Sequence, residues 1–229
     1  MIFFAVCALL GWVLPLLIEL TVAKHLAAGL LTLIVSTDTL WTVVIALVGK
    51  FAKVEARHIL GIALGFAAAV LLLAPSLTGL GGTPIIWIAV AFAVPWCYAA
   101  YHNFVAARWP ENHDSWQVAT GEAFAGTFML LPLFFLSGED FSSYLNWSAG
   151  AWTIPYMVLF GLVEIYLYFE IVRLAGPVTV SQANYVAVVA GVLWGMVIFG
   201  EPFMPVLWLA GLLLVVSLYL TREQTDSVT

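Results

Sequence analysis

Charge is scarce in this chain. Only 9% of its 229 residues are charged and 64% are hydrophobic, whereas soluble domains carry roughly 25% charged residues. That deficit excludes an ordinary soluble domain. The seven Lys and Arg are scattered, which also excludes a nucleic-acid interface. Cysteine is nearly absent. Cys7 and Cys97 stand alone in apolar runs, form no CxxC and read as small buried hydrophobes. No H-E-x-x-H is present, so a zinc hydrolase is not indicated. No Lys falls inside an apolar run, which removes a retinal protein. His25, His58, His102 and His113 are read at span ends or in loops, so none is placed to serve a mid-membrane serine. No carboxylate sits in a Gly-Asp motif of the intramembrane aspartyl protease kind. The chain carries no basic leader before its first apolar run. The expectation is a non-enzyme without catalytic residues, metal or cofactor.

What is present is a series of continuous apolar runs of about 17–22 residues, the length of membrane-spanning helices. Polar or turn-rich breaks divide the chain into eight candidate spans near 3–21, 27–48, 58–74, 85–106, 116–137, 151–172, 177–199 and 204–221. The fold class expected is all-α: a polytopic membrane protein of about eight transmembrane helices. With eight spans both termini share one side. That side holds Lys50, Lys53, Arg57, Arg108, Arg173 and Arg222, and the other holds only Lys24. The bias makes the terminal side cytoplasmic. Trp109 and Trp116 inside, with Trp87, Trp147 and Trp152 outside, suit interfacial belts.

The first three spans and the last three match in hydropathy at a shift of 147 residues, from Gly29 to Gly176. Five spans separate the copies, so their orientation is opposite. Inverted repeats of this type build secondary transporters, with the substrate site at mid-membrane between the copies. The second copy has two extra spans in front. The division is therefore 1–76, a three-helix remnant of a first repeat; 83–222, a five-helix second repeat; and 223–229, a cytoplasmic tail. A complete first copy calls for about sixty further residues before Met1.

Residues 176–201 read GPVTVSQANYVAVVAGVLWGMVIFGE. Gly176, Pro177, Ser181, Tyr185, Ala190–Gly191, Gly195, Gly200 and Glu201 resemble the penultimate helix of EamA-like proteins in the drug/metabolite transporter superfamily. Segment 27–48 resembles the equivalent helix of the first repeat. The resemblance implies ten helices in two five-helix repeats, and export or uptake of small metabolites, amino acids or drug-like compounds, driven by a proton or solute gradient. This chain departs from it in having eight spans and in lacking a proline within 27–48 or 178–199. The absent prolines remove helix-breaking features from both central helices. The alternative function is a truncated, non-transporting membrane protein or subunit with a structural role.

Polar residues inside spans mark the site. Asp38 lies about 11 residues from either end of its span, roughly 16 Å at 1.5 Å per residue, near the midplane. Ser36, Thr37 and Thr39 surround it, and Trp41 is one turn away. An Asp there costs about 2.5–3.5 kcal/mol, and a proton would lower that. The functional reading is proton coupling; the structural one is a neutral hydrogen bond between helices. Glu164 and Tyr168 share a face, four residues apart. The 147-residue shift sets Thr37 on Asn184 and Asp38 on Tyr185. Glu122, nearer the cytoplasmic surface, is read as a snorkelling or vestibule residue. Glu19, near the outer end and within reach of Lys24, is read as structural, and Glu170 with Arg173 as a surface pair. The candidate substrate and proton pathway is Asp38, Thr37, Trp41, Glu164, Tyr168, Asn184 and Tyr185, with Glu122 in second place. Gly61-x-x-x-Gly65 and Gly191-x-x-x-Gly195 are read as close-packing seams. The expected partners are the lipid bilayer and a small-molecule substrate, with a homodimer allowed, and the expected location is a bacterial inner membrane.

Overall fold

The computed structural model describes residues 1–26, 28–49, 55–74, 84–136, 138, 153–199 and 206–221. These form helices α1 (Ile2–Val22), α2 (Ala28–Val35), α3 (Asp38–Gly49), α4 (Ala56–Leu73), α5 (Ile85–Ala107), α6 (Ser115–Leu136), α7 (Thr153–Ser181), α8 (Ala183–Phe199) and α9 (Val206–Thr221). No strand occurs among the described residues. Four helices, Ile2–Val22, Leu30–Gly49, Ile85–Ala107 and Ser115–Leu136, are long and apolar enough to cross a membrane. The first of these is α1, the second joins α2 to α3, and the others are α5 and α6.

The packing is inverted relative to a soluble protein. Asp38, Thr39, Thr42, Asn103 and Glu122 are buried, while Trp208 is 75% exposed and Phe128 72%. Apolar faces turned outward suit lipid, and polar groups inside must then find one another.

Sequence dictates several local distortions. Pro15 has no N–H, and its ring would collide with the Gly11 carbonyl in a regular helix. The chain answers with a π-helical turn at Leu9–Val13, in which Leu14 N–H reaches back to Leu9 O. Pro95 acts likewise on α5, which is interrupted at Phe92. Gly176 has φ 80° and ψ 177°, a conformation only glycine adopts readily, so Pro177 starts a fresh turn that ends at Ser181. At the start of α4, His58 Nδ1 accepts from Glu55 N–H at 2.9 Å, closing a capping box. The Arg57 guanidinium beside Glu55 holds that exposed carboxyl below its ordinary range.

Three clusters form the core. One joins α1, α5, α6 and α7 through Cys7, Tyr101, Val118, Phe169 and Val180. The second joins α4, α8 and α9 through Ala68, Ala69, Tyr185, Ala210 and Leu214. The third packs the end of α1 and α2 against the start of α5. The Gly61–Gly65 seam is a close approach, as its spacing suggests. A methyl group built on Gly61 would stand 2.9 Å from the Ser217 carbonyl, and one on Gly65 would overlap the Tyr185 ring. The surroundings of Gly191 and Gly195 lie outside the described residues, as do Pro202 and three of the six cytoplasmic-side cations, Lys50, Lys53 and Arg222.

Candidate functional site

The segment 27–48 is expected to be one continuous helix without a break. It is two helices. Thr37 N–H bonds the Ile34 carbonyl at 3.0 Å, one residue short of helical spacing, and Leu40 N–H bonds Thr37 O at 3.0 Å. The second central helix breaks the same way. Gln182 N–H bonds Thr179 O at 3.3 Å, and Tyr185 N–H bonds Gln182 O at 3.0 Å. Hydroxyls replace the missing prolines as the cause. Ser36 Oγ donates to Thr32 O at 2.8 Å, Thr37 Oγ1 to Ile34 O at 2.6 Å and Ser181 Oγ to Val178 O at 2.9 Å. Each offers a carbonyl a second donor and loosens the helical ladder. The two breaks align at a step of 145 residues, from Ser36 to Ser181. The hydropathy shift of 147 is two too many. Asp38 therefore corresponds to Ala183 and Thr39 to Asn184, not to Tyr185 and Val186.

Asp38 opens α3 and is fully buried. Its Oδ2 lies 3.2 Å from His102 Nε2, and its Oδ1 lies 3.2 Å from Thr39 Oγ1. His102 Nδ1 lies 2.9 Å from the Tyr168 hydroxyl. His102 is thus not a span-end residue. It sits inside α5, 7% exposed, and carries the contact between Asp38 and α7. Thr39 Oγ1 also lies 3.0 Å from the Ser181 carbonyl oxygen. That carbonyl has lost its helical partner, because Tyr185 N–H turns to Gln182 instead. One side chain thereby joins the two breaks. Asn103 supports the same junction, donating from Nδ2 to Thr42 O at 3.1 Å and tying α5 to α3.

Beside this network lies a cavity of about 690 Å³. Both breaks reach it, through Val35 on one side and Ala183 and Asn184 on the other. Tyr98, Tyr101, His102, Glu164 and Tyr168 line it, and Gly11 and Trp12 of the π-helical turn face them. Of the sequence candidates, Glu164, Tyr168 and Asn184 stand on its wall. Asp38 lies behind His102 and Tyr168. Thr37 is half-buried and spent on Ile34 O. Trp41 packs against Trp96, ring centres 4.6 Å apart. Tyr185 is buried toward α4 and α9, away from the cavity.

Glu122 does not snorkel. It is fully buried, and Tyr101 donates to it at 2.8 Å. Tyr101 in turn stacks on Tyr168, centres 4.9 Å apart and nearly parallel. Glu19 receives the Tyr98 hydroxyl at 3.4 Å, where a Lys24 partner is expected. Glu170 does pair with Arg173, at 2.5 Å, and also accepts from Ser115. His102 and Tyr101 are the residues missed by sequence. Their signal is a polar aromatic stripe, Tyr98, Tyr101 and His102, at helical spacing on α5.

The family model of the EamA-like transporter family matches residues 85–222, more than half of the chain. The chain belongs to the EamA-like transporter family. It is accordingly a multi-pass membrane protein of the drug/metabolite transporter type. A protein of known crystal structure superposes with a TM-score of 0.71 at 18% identity, over 95% of this chain and 75% of its own. At that identity the likeness concerns the fold of this EamA-like chain. No curated protein matches it.

Proposed function

We propose that this EamA-like chain is a secondary transporter of small metabolites, amino acids or drug-like compounds, coupled to a gradient through Asp38. The observation that carries the reading is the juxtaposition of the cavity with Asp38. A volume of about 690 Å³ falls in the range of small-molecule sites. Asn184, Glu164 and His102 offer a few polar contacts among aromatic walls. His102 and Tyr168 connect that wall to a carboxylate at a helix break. Broken helices with free termini beside a cavity are the usual construction of an alternating-access site.

A proton on Asp38 removes a buried charge, and its release restores one. Each change alters what the surrounding donors must do. Substrate in the cavity stands one residue away from that event, across the His102 ring. On this reading the membrane is a bacterial inner membrane with both termini cytoplasmic, an orientation the cation bias supports. The exposed apolar faces of α7 and α9 accept lipid or a second copy.

The test is flux into vesicles reconstituted with the full chain. Radiolabelled amino acids and fluorescent organic cations are screened with and without an imposed pH gradient. Gradient-driven flux is expected for at least one probe, and Asp38→Asn is expected to abolish the gradient dependence. Flux unchanged in Asp38→Asn would sink the coupling role. A well-folded sample that moves nothing under any gradient would favour the structural, non-transporting role.

A further inference from the structure

The Thr39 hydroxyl has two acceptors within reach and one hydrogen, with the Tyr185 hydroxyl also beside it. The Thr39 oxygen lies 3.2 Å from Asp38 Oδ1 and 3.0 Å from the Ser181 carbonyl oxygen, and all three residues are at most 1% exposed. Both neighbours are acceptors when Asp38 is ionised. A hydroxyl carries one donor hydrogen and can satisfy only one of them. Ionised Asp38 is the stronger acceptor. It draws the Thr39 hydrogen to Oδ1, and the Ser181 carbonyl is left without a partner. A protonated Asp38 reverses the order: its O–H donates to Thr39 Oγ1, and Thr39 donates to Ser181 O. Asp38, Thr39 and the Ser181 carbonyl are then all satisfied, as buried polar groups require, and the Tyr185 hydroxyl, as a donor, does not compete for the Thr39 hydrogen.

We propose that Thr39 is the positioning residue that converts protonation of Asp38 into a hydrogen bond joining the two helix breaks. Proton on, the first turn of α3 is latched to the end of α7. Proton off, the latch opens and the α7/α8 break is free to move. The inference rests on the gradient-coupled reading above, but concerns a hydrogen bond that is measurable without any substrate.

The other titratable groups around Asp38 are accounted for. His102 of α5 faces Oδ2 with Nε2 and the Tyr168 hydroxyl with Nδ1. Tyr98 of α5, Tyr168 of α7 and Tyr185 of α8 stand close enough to feel its charge. Glu164 stands near Tyr98 across the cavity. None of these touches Oδ1. The oxygen that changes role is bonded to Thr39.

The test is amide hydrogen exchange of the full chain in lipid nanodiscs across a pH series, corrected for intrinsic rates, reading the amides around Ser181–Val186. In the parent protein exchange is expected to be about fivefold slower on the acid side, the effect of one net hydrogen bond. Asp38→Asn, whose amide donates to Thr39 as the acid does, should stay slow at every pH. Thr39→Val should stay fast at every pH, and Thr39→Ser should restore the parent profile. Parent exchange that ignores pH overturns the proposal. So does a Thr39→Val profile like the parent's, or fast exchange in Asp38→Asn. A pH response that disappears in His102→Gln and persists in Asp38→Asn assigns the switch to His102 and also overturns it. Flux in vesicles fails or succeeds separately. A pH-dependent latch in a protein that moves no substrate defeats the transport reading and leaves the latch standing.

Discussion

The break between α2 and α3 and the break between α7 and α8 are built alike. Ser36 matches Ser181, and each donates its hydroxyl back to the preceding turn. Thr37 matches Gln182, and the short backbone bonds to Ile34 O and Thr179 O correspond one for one. The bonds that resume the helix correspond too, from Leu40 to Thr37 and from Tyr185 to Gln182. Yet the residue that opens the next helix is Asp38 in one and Ala183 in the other. The second break shows that this backbone needs no carboxylate. Asp38 is therefore not there to make the break. Its buried carboxyl, contacted by His102, calls for a different reason, and the proposed coupling supplies one.

The largest perturbation of this comparison is to strip the first break of its partner. His102→Ala leaves Asp38 buried with no imidazole, and should destabilise by about 3–5 kcal/mol, the unsatisfied buried group adding to the cavity left by the ring. Its readout is thermal unfolding in detergent followed by tryptophan fluorescence. Ala183→Asp makes the second break resemble the first without giving it a histidine. It should lower stability by about 2.5–3.5 kcal/mol in the same assay. Equal stability to the parent would mean that the second break tolerates charge as the first does. Gly65→Ala acts on the second break through Tyr185, whose ring the added methyl overlaps. The expected loss is about 1–3 kcal/mol from overpacking, with the cavity-side contacts of Asp38 preserved. The smallest effect sharpens the likeness. Ser36→Ala and Ser181→Ala each remove one back-bonded hydroxyl and should each change stability by about 0.5–1.5 kcal/mol. A large inequality between them would show that the two breaks differ in construction as well as charge.

Much of this architecture is legible in the chain. Apolar length identifies α1, α5 and α6, and the isolated polarity of Asp38 points to the site. The family likeness of residues 176–201 falls on α8 and its approach. The breaks themselves are harder to see. Proline announces a break because it lacks a donor, whereas Ser36, Thr37 and Ser181 break helices by bonding choices they also make inside intact ones. The Thr21 and Thr120 hydroxyls make such bonds here without a break. His102 escapes notice because its role depends on a residue 64 positions away. Position along the span placed it near an end, but rotation about α5 decides that it points inward. Glu122 is misjudged for the same reason. Depth can be counted from sequence, and facing is set by Gly11, which lets Tyr101 and Glu122 lie against α1.

The π-helical turn of α1 has a consequence for the whole helix. One residue beyond helical spacing advances the side-chain phase by about 100°, the angle between successive residues. The stretch before the turn sends Phe4 and Ala8 toward Gly121 and Gly126 of α6. The stretch after it sends Ile18 and Val22 toward Trp87, Ile88 and Ala91 of α5. A helix of uniform pitch could not keep both engagements in register. Leu9–Val13 acts as a phase shifter, and the residue it accommodates is as much a part of the interface as the side chains on either side. Deleting one residue there would preserve length and hydropathy almost unchanged while turning half of α1 away from its partner.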